Sequence, residues 1–363
     1  MLLALDLIAK TYYSKSQASE PHLADAYAGA PWTREYFEEF ERAAAVEWQP
    51  YVYWRRAPFH GKSIRIDNKG IRATLNAEQC QTGRWGRGIF VFGGSTVWGS
   101  GARDNYTIPS NLSRLLREKG LFGACVTNFG ETGYVNTQEV IALMLELRQG
   151  NIPDVAIFYD GINDVFSAFQ SGVAGIPQNE SNRRAEFNLS NAPTRMLGEI
   201  GRGSSLYRLV KGVGRRLHGE PRAGVVADPD RVNRLAEEVA EAYWGNIALV
   251  QHLARRYGFK PLFYWQPLVF DKNPLSHFEE RQAKIGEALL PSGFHRLARS
   301  RVLNHKDRQG HAFHDLSGIF KDTQEPMFID FAHLGEVGNE RVAQRMGADV
   351  LEIFKRAAPV RRQ

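Results

Sequence analysis

The sequence predicts an α/β protein built on a parallel sheet with helices on both faces, carried by residues 86–358. Three observations predict it. Short apolar runs bounded by glycine or proline recur at Ile89–Phe92, Ala124–Phe129, Val155–Tyr159, Pro261–Trp265 and Phe313–Leu316. Between them lie segments with apolar residues at helical spacing, such as Leu112, Leu115 and Leu116, or Val140, Ile141, Met144 and Leu145. Strands that alternate with helices imply a parallel sheet covered on both sides. Finally, the first run passes straight into Gly93-Gly94-Ser95 ahead of a helical stretch. That puts a serine at the carboxyl end of a strand, where open α/β sheets bind ligands. Two preceding glycines allow a tight turn and close backbone approach.

Residues 1–85 read as an irregular accessory segment. Thr33 as N-cap with Glu35 in the first turn suits a helix over 33–45. Tyr51–Trp54 and Ser63–Ile66 alternate as strands do, and Asn68-Lys69-Gly70 marks a turn. From Gly88 the elements follow in order: a strand over 88–94, a helix over 109–119 with Thr107 or Ser110 at its cap, and a strand over 124–129. Asn136 as N-cap with Glu139 three residues on starts the next helix. Pro153 precedes the strand over 155–159. After Asp164 the pattern is lost, and residues 166–230, rich in Gly, Ser, Asn, Pro and Arg, read as an inserted cap with a helix over 205–217. A helix over 230–257, the strand over 261–265, a helix over 276–300, the strand at 313–316 and a last amphipathic helix complete the domain.

Composition narrows the class. Of 363 residues, 43% are hydrophobic and 24% charged, as in ordinary globular proteins. The formal charge of +6 is concentrated between Phe166 and Leu235, where eleven Arg/Lys face six Asp/Glu. A basic surface attracts anionic glycans, lipid headgroups or nucleic acid, and a solvated face explains it as well. No nucleic-acid motif accompanies the charge, so nucleic acid is not expected as a partner. The two cysteines, Cys80 and Cys125, make no disulfide framework, and Cys125 within a strand predicts a buried free thiol. No Cys/His metal pattern occurs, so neither metal nor cofactor is expected. The apolar start, Met1 to Lys10, is too short to span a bilayer and has no basic n-region. It fits the tail of an anchor or a docking helix equally, which keeps membrane association through the N-terminus open.

Four short blocks stand at element ends: Gly94-Ser95, Gly130-Glu131-Thr132-Gly133, Asp160-Gly161-Ile162-Asn163-Asp164 and Asp330-Phe331-Ala332-His333. In these residues, and in their order across 88–355, the chain resembles the SGNH hydrolases, the GDSL-like esterase superfamily. The likeness is to its bacterial variant whose first block reads Gly-Gly-Ser-Thr. The resemblance implies a flavodoxin-like three-layer α/β/α fold. It implies Ser95 as nucleophile, His333 as general base and Asp330 as the carboxylate orienting the ring. Its oxyanion hole would be the N–H groups of Ser95 and Gly133 with the side-chain amide of Asn163; Gly130 is the alternative to Gly133. Gly94 replaces the family's acidic residue, and Glu131 sets a carboxyl near the hole, where it is expected to point away. Asp160 and Asp164 are expected to support or cap. Trp265 and Gln266 resemble a segment that borders the cleft and are candidates to line a substrate pocket.

The residue types suit this chemistry independently. A serine hydroxyl needs an adjacent base, histidine can take and return its proton near neutral pH, and a carboxylate holds one tautomer. The expected activity is hydrolysis of an acyl ester, most plausibly acetyl on a carbohydrate. O-acyltransfer by the same residues, or a non-catalytic glycan-binding or assembly role, stay open. The apolar start and the family's habits favour the bacterial envelope, while the cysteine count fits the cytoplasm equally.

Overall fold

The computed structural model describes residues 26–27, 29–80, 87–178, 180, 183–184, 187, 228–305 and 312–356. The apolar start, the helix expected over 205–217 and most of the expected cap lie outside them. The chain divides into two compact units, Met1–His22 with Asn179–Val232 and Leu23–Gln178 with Asn233–Gln363. The second holds the sheet and every candidate site residue.

Five parallel strands make that sheet: β5 (Arg87–Gly93), β6 (Ala124–Asn128), β7 (Val155–Asp160), β8 (Lys260–Trp265) and β9 (Phe313–Asp315). Their spatial order is β6-β5-β7-β8-β9, the doubly wound flavodoxin-like order. The chain leaves β5 for one neighbour and returns to β7 on the other side. The crevice at such a reversal lies outside the carboxyl ends of β5 and β7. Successive side chains on a strand point to opposite faces. One face carries Ile89, Val91, Ile157, Tyr159 and Tyr264, packed with Ile108, Leu112 and Leu116 of α3 (Ile108–Glu118) and Val342, Met346 and Val350 of α9 (Glu336–Arg356). The other carries a row of phenylalanines, with Phe92, Phe158 and Phe263 stacked at 5.0 and 5.4 Å. Here α4 (Asn136–Arg148) buries Val140, Leu143 and Leu147, and Tyr243 of α6 (Pro229–Tyr257) meets Trp265 edge-on. The result is a three-layer α/β/α sandwich.

The N-terminal residues form a layer at the sheet's β6 edge. Helix α1 (Thr33–Arg42) is followed by two hairpins, β1 (Val46–Gln49) with β2 (Tyr53–Arg56), and β3 (Phe59–His60) with β4 (Arg65–Ile66). Arg72 then bridges antiparallel to Asn128 of β6, which covers what would be an open edge. Among the described residues no helix is long and apolar enough to cross a membrane.

Several local expectations need correction. Helix α1 starts at Thr33 with Trp32 as N-cap, and the Thr33 hydroxyl donates back to Ala30 O instead of capping. The residues Pro50 to Val52 form a turn, so the first strand pair lies on either side of them rather than at 51–54. A four-residue helix, α2 (Ser95–Trp98), follows the glycine turn at once. Val135, not Asn136, is the N-cap of α4, because Gln138 Oε1 accepts from the Val135 N–H and Asn136 is drawn to Asp160. The segment after Asn163 continues as helix α5 (Ile162–Ser171) instead of turning irregular. Pro291 splits the helix expected over 276–300 into α7 (His277–Leu289) and α8 (Ser292–Leu303).

The free-thiol expectation is overturned: Cys80 and Cys125 form a disulfide across 45 residues. Cys125 lies on edge strand β6, whose side chains alternate buried and half-buried, so its sulfur faces the segment carrying Cys80. Closing a loop of that length should stabilise the fold by about 2–4 kcal/mol. Denaturant melts with and without reductant should differ by that amount, and Cys80→Ser should abolish the difference.

Candidate active site

Strand β5 ends at Gly93, and the backbone turns through Gly94 into α2. Gly94 has no room for a side chain, because a Cβ there would fall on the amide nitrogen of Asn163. The two glycines therefore let the serine turn and the start of α5 touch. Ser95 occupies the first position of α2, so its N–H has no carbonyl one turn earlier to bond. Its Oγ stands 2.6 Å from His333 Nε2 across a sequence separation of 238 residues. His333 Nδ1 in turn is 2.5 Å from Asp330 Oδ2. With Asp330 accepting from Nδ1–H, Nε2 is the lone-pair nitrogen that faces the serine hydroxyl.

Asp330 uses its two oxygens differently. Oδ1 accepts the backbone N–H groups of Ala332 (2.8 Å) and His333 (2.7 Å), which shapes the turn, and Oδ2 holds the ring. Burial alone would raise this carboxyl. The charge and hydrogen bond of His333, with the two backbone donors, take it below its ordinary 3.8. Burial works the other way on His333 and disfavours its charged form, but the Asp330 charge and hydrogen bond outweigh it and raise the imidazole above 6.5. The serine is 7% exposed and the histidine side chain 26%, so the pair sits at a wall that solvent still reaches.

The second and third strand ends come to the same place. Glu131 N–H donates to Gly93 O at 3.0 Å, which lays the 129–133 loop along the end of β5. Asn163, at the start of α5 beyond β7, donates from Nδ2 to Tyr134 O at 2.7 Å. One amide hydrogen of Asn163 is thus committed and the other faces the Gly94-Ser95 turn. Gly130 N–H is taken by Asn128 Oδ1 at 3.0 Å. Gly133, at φ +77°, has an N–H without a hydrogen-bond partner among the described residues. Glu131 is turned aside: its carboxylate accepts from Arg56 N and Thr132 N, at 2.8 and 2.7 Å, and lies 3.7 Å from Arg56 Nε.

Trp265 and Gln266 do not line an open pocket. Both are buried, with Trp265 wedged between Gly161 and Tyr243, because the strand carries them one layer behind the turn. Among the described residues no group of three or more His, Cys, Asp or Glu could hold a metal ion.

Three supports were not legible as such. Arg72, fully buried, donates to Trp98 O, Gly99 O and Ala102 O at 2.7–3.0 Å and to Asp104 at 3.0 Å. It thereby satisfies the carbonyls that a four-residue helix leaves open. Glu279 accepts from Met327 N (2.9 Å) and Phe328 N (3.3 Å), which fixes the loop leading to Asp330, while Lys272 neutralises it. Nothing in their sequence surroundings singles out Arg72 or Glu279.

The third support is a buried acidic group behind Asn163. Asn136 Nδ2 donates to Asp160 at 2.9 Å and Asn136 N donates to Asp164 at 3.1 Å, tying α4 to the end of β7 and the start of α5. Glu139 lies beside Asp160 and Asp164, so the three buried carboxyls act on one another's charge. Burial raises all three: Asp160 to about 6, Asp164, also next to the Asp160 charge, to about 8, and Glu139, beside both, well above its ordinary range.

No family model and no curated protein matches this chain. Solved structures do superpose on it loosely. An acetyl xylan esterase, AlAXEase, is 16% identical, covers 72% of this chain and 99% of its own, and has a TM-score of 0.38. The lipase Lip_vut3 from a goat rumen metagenome is 11% identical over 72% and 96%, with a TM-score of 0.41. An acetylxylan esterase from Geobacillus stearothermophilus is 14% identical over 75% and 96%, with a TM-score of 0.35. Superpositions this loose leave function to be argued from the site's own geometry.

Two outcomes follow. Gly94→Ala should displace the Asn163 amide without loss of fold and lower the turnover of p-nitrophenyl acetate by roughly 100-fold; Tm and kcat measured together check this. The acidic group has the sign of a raised carboxyl. Its contribution to stability is complete below the unfolded value of about 4 and is lost as pH rises through about 6 and about 8. Urea midpoints should therefore fall between about pH 4 and about pH 8, and Asp164→Asn should flatten the upper part of that fall.

Proposed function

We propose that this protein is a serine esterase that cleaves an acyl ester through an acyl-enzyme, with Ser95, His333 and Asp330 as its triad. The observation that carries the reading is the unbroken hydrogen-bonded line from Ser95 Oγ to His333 to Asp330, joined from two distant parts of the chain. Its position at the switch point of the sheet, and the resemblance of the four sequence blocks to SGNH hydrolases, support it.

In this mechanism Ser95 Oγ attacks the ester carbonyl carbon while its proton passes to His333 Nε2. The carbonyl oxygen becomes an oxyanion held by the N–H groups of Ser95 and Gly133 and by the free amide hydrogen of Asn163. These donors are fixed before reaction, which is what makes them effective. The imidazolium, stabilised by Asp330, returns the proton to the leaving alcohol. Water then gives a proton to His333 and attacks the acyl-enzyme carbonyl carbon, and His333 returns that proton to Ser95 Oγ as the carbon–Oγ bond breaks and the acid is released. The acyl group is proposed to be small, most plausibly acetyl, and its alcohol a sugar. The Cys80–Cys125 disulfide supports a compartment that is oxidising, such as the bacterial envelope.

Ser95→Ala should abolish p-nitrophenyl acetate hydrolysis and labelling by a fluorophosphonate; equal activity in the variant sinks the assignment. The base must be neutral to act, so kcat/KM should fall as pH drops through an acid limb centred above 6.5, the side to which Asp330 shifts His333. Asp330→Asn should move that limb to lower pH and cut kcat by about 10,000-fold.

A further inference from the structure

We propose that the β1–β2 hairpin is a sugar-stacking subsite for the carbohydrate part of the substrate, a proposal that rests on the serine-esterase reading. The hairpin puts aromatic rings in a continuous row. Trp48 stacks on Tyr53 at 5.5 Å and 22°, Tyr53 adjoins Trp54 at 6.4 Å, and Trp54 meets Tyr134 at 5.6 Å. The inner end of the row is the oxyanion loop itself. Trp54 Nε1 donates to Thr132 O at 2.9 Å, Tyr134 hydroxyl donates to Trp54 O, and Tyr134 O receives the Asn163 amide. The outer end is open: Trp48 is 63% and Tyr51 68% exposed.

The backbone gives an independent sign. Tyr51 and Tyr53 have φ of +72° and +75°, a region that bulky L-residues rarely adopt. Between them Val52 is buried and its carbonyl accepts from Gln138 Nε2 at 2.7 Å, so the hairpin is held against α4 while Tyr51 is turned out and Tyr53 is half-buried under Trp48. Strain of this kind persists where the surroundings over-determine it, and it clusters at ligand sites.

The chemistry of the row selects its occupant. An acyl chain gains most when enclosed on all sides, whereas these rings offer one face. A pyranose has an apolar C–H face and a rim of hydroxyls, so one side can be dehydrated on a ring while the hydroxyls stay in water. An anionic ligand would need free cations. The two hairpin arginines are turned inward, Arg55 towards Phe129 O and Arg56 onto Ala43 O and Thr132 Oγ1. Neither hairpin arginine is therefore turned towards the row, which suits a neutral sugar.

The test uses the full chain with Ser95→Ala, titrated calorimetrically with xylohexaose, mannohexaose, cellohexaose and chitohexaose. At least one should bind, and Trp48→Ala and Tyr51→Gly should each weaken it about tenfold, with Trp48→Phe retaining most of the affinity. With Ser95 intact, the same two substitutions should raise KM for the O-acetylated form of that hexaose about tenfold more than KM for p-nitrophenyl acetate. Tyr51→Gly should also raise Tm by about 2 °C, since glycine tolerates the positive φ; a ring serving only as scaffold would lower it. The subsite is refuted if no hexaose binds in a Trp48-dependent way. It is equally refuted if the losses track p-nitrophenyl octanoate, which assigns the row to acyl chains, or if Trp48→Ala changes the sedimentation mass, which assigns it to a second copy. Fluorophosphonate labelling separates the two ideas: labelling of Ser95 without hexaose binding removes the subsite alone, and binding without labelling removes the esterase alone.

Discussion

The site depends on a side chain that is missing. At Gly94 the serine turn and the start of α5 approach so closely that a single methyl group would occupy the position of the Asn163 amide. A parallel sheet brings the ends of β5 and β7 side by side but keeps neighbouring strands nearly 5 Å apart. Groups that must act on one substrate atom have to close that gap from the turns. Gly94 closes it on one side, and the Tyr134 carbonyl, holding Asn163, closes it on the other. Any larger residue at this point would need a different neighbour, so Gly94 and Asn163 are best understood as one arrangement.

Around that contact the polar groups are buried in a consistent manner. Carboxylates that border the reaction centre are neutralised by cations or backbone N–H groups: Glu131 by Arg56 and Thr132, Glu279 by Lys272 and the Met327 and Phe328 amides. In the group behind it, Glu139, Asp160 and Asp164, burial instead raises the proton affinity of each carboxyl. Arg55 opposes the charge on Glu139 from the hairpin side, and Tyr243, itself pushed upward by burial and by these acids, closes the other. A second full negative charge immediately behind Asn163 would oppose the oxyanion of the proposed reaction. Carboxyls with raised proton affinity tie α4, β7 and α5 together with less negative charge than three ordinary carboxylates would carry.

Much of this was readable in the sequence, and what was not has physical reasons. Strands β5 to β8 are marked by apolar runs long enough to be buried on both faces; the serine and asparagine blocks stand at the ends of β5 and β7, and the histidine block precedes the last helix. Periodicity reports a helix face well and its first residue poorly, since a cap is decided by which partner a side chain finds. Asn136 looked like a cap and is instead drawn to Asp160, with Gln138 taking over at Val135. The disulfide was missed because pairing depends on a fold-wide juxtaposition across 45 residues. The hairpin was shifted because Tyr51 and Tyr53 sit at positive φ, a choice no propensity favours. Trp265 and Gln266 stand at a strand end like the serine and asparagine blocks, but Trp265 packs against Gly161 and Tyr243 and both are buried.

The base presents the opposite problem to the serine. Ser95 and His333 meet from 238 residues apart, so their distance is set by the packing of the whole domain. Asp330 and His333 are three residues apart and nearly independent of it. One carboxylate oxygen winds the Asp330–His333 turn by accepting Ala332 and His333 N–H groups, and that same turn delivers Nδ1 to the other oxygen. Loop shape and ring orientation are thus one hydrogen-bonded unit, which packing needs only to aim. Glu279 does the aiming, by holding the backbone just upstream at Met327 and Phe328. Errors in long-range packing then appear as a change in the serine-to-histidine distance, while the imidazole keeps its tautomer and its raised proton affinity.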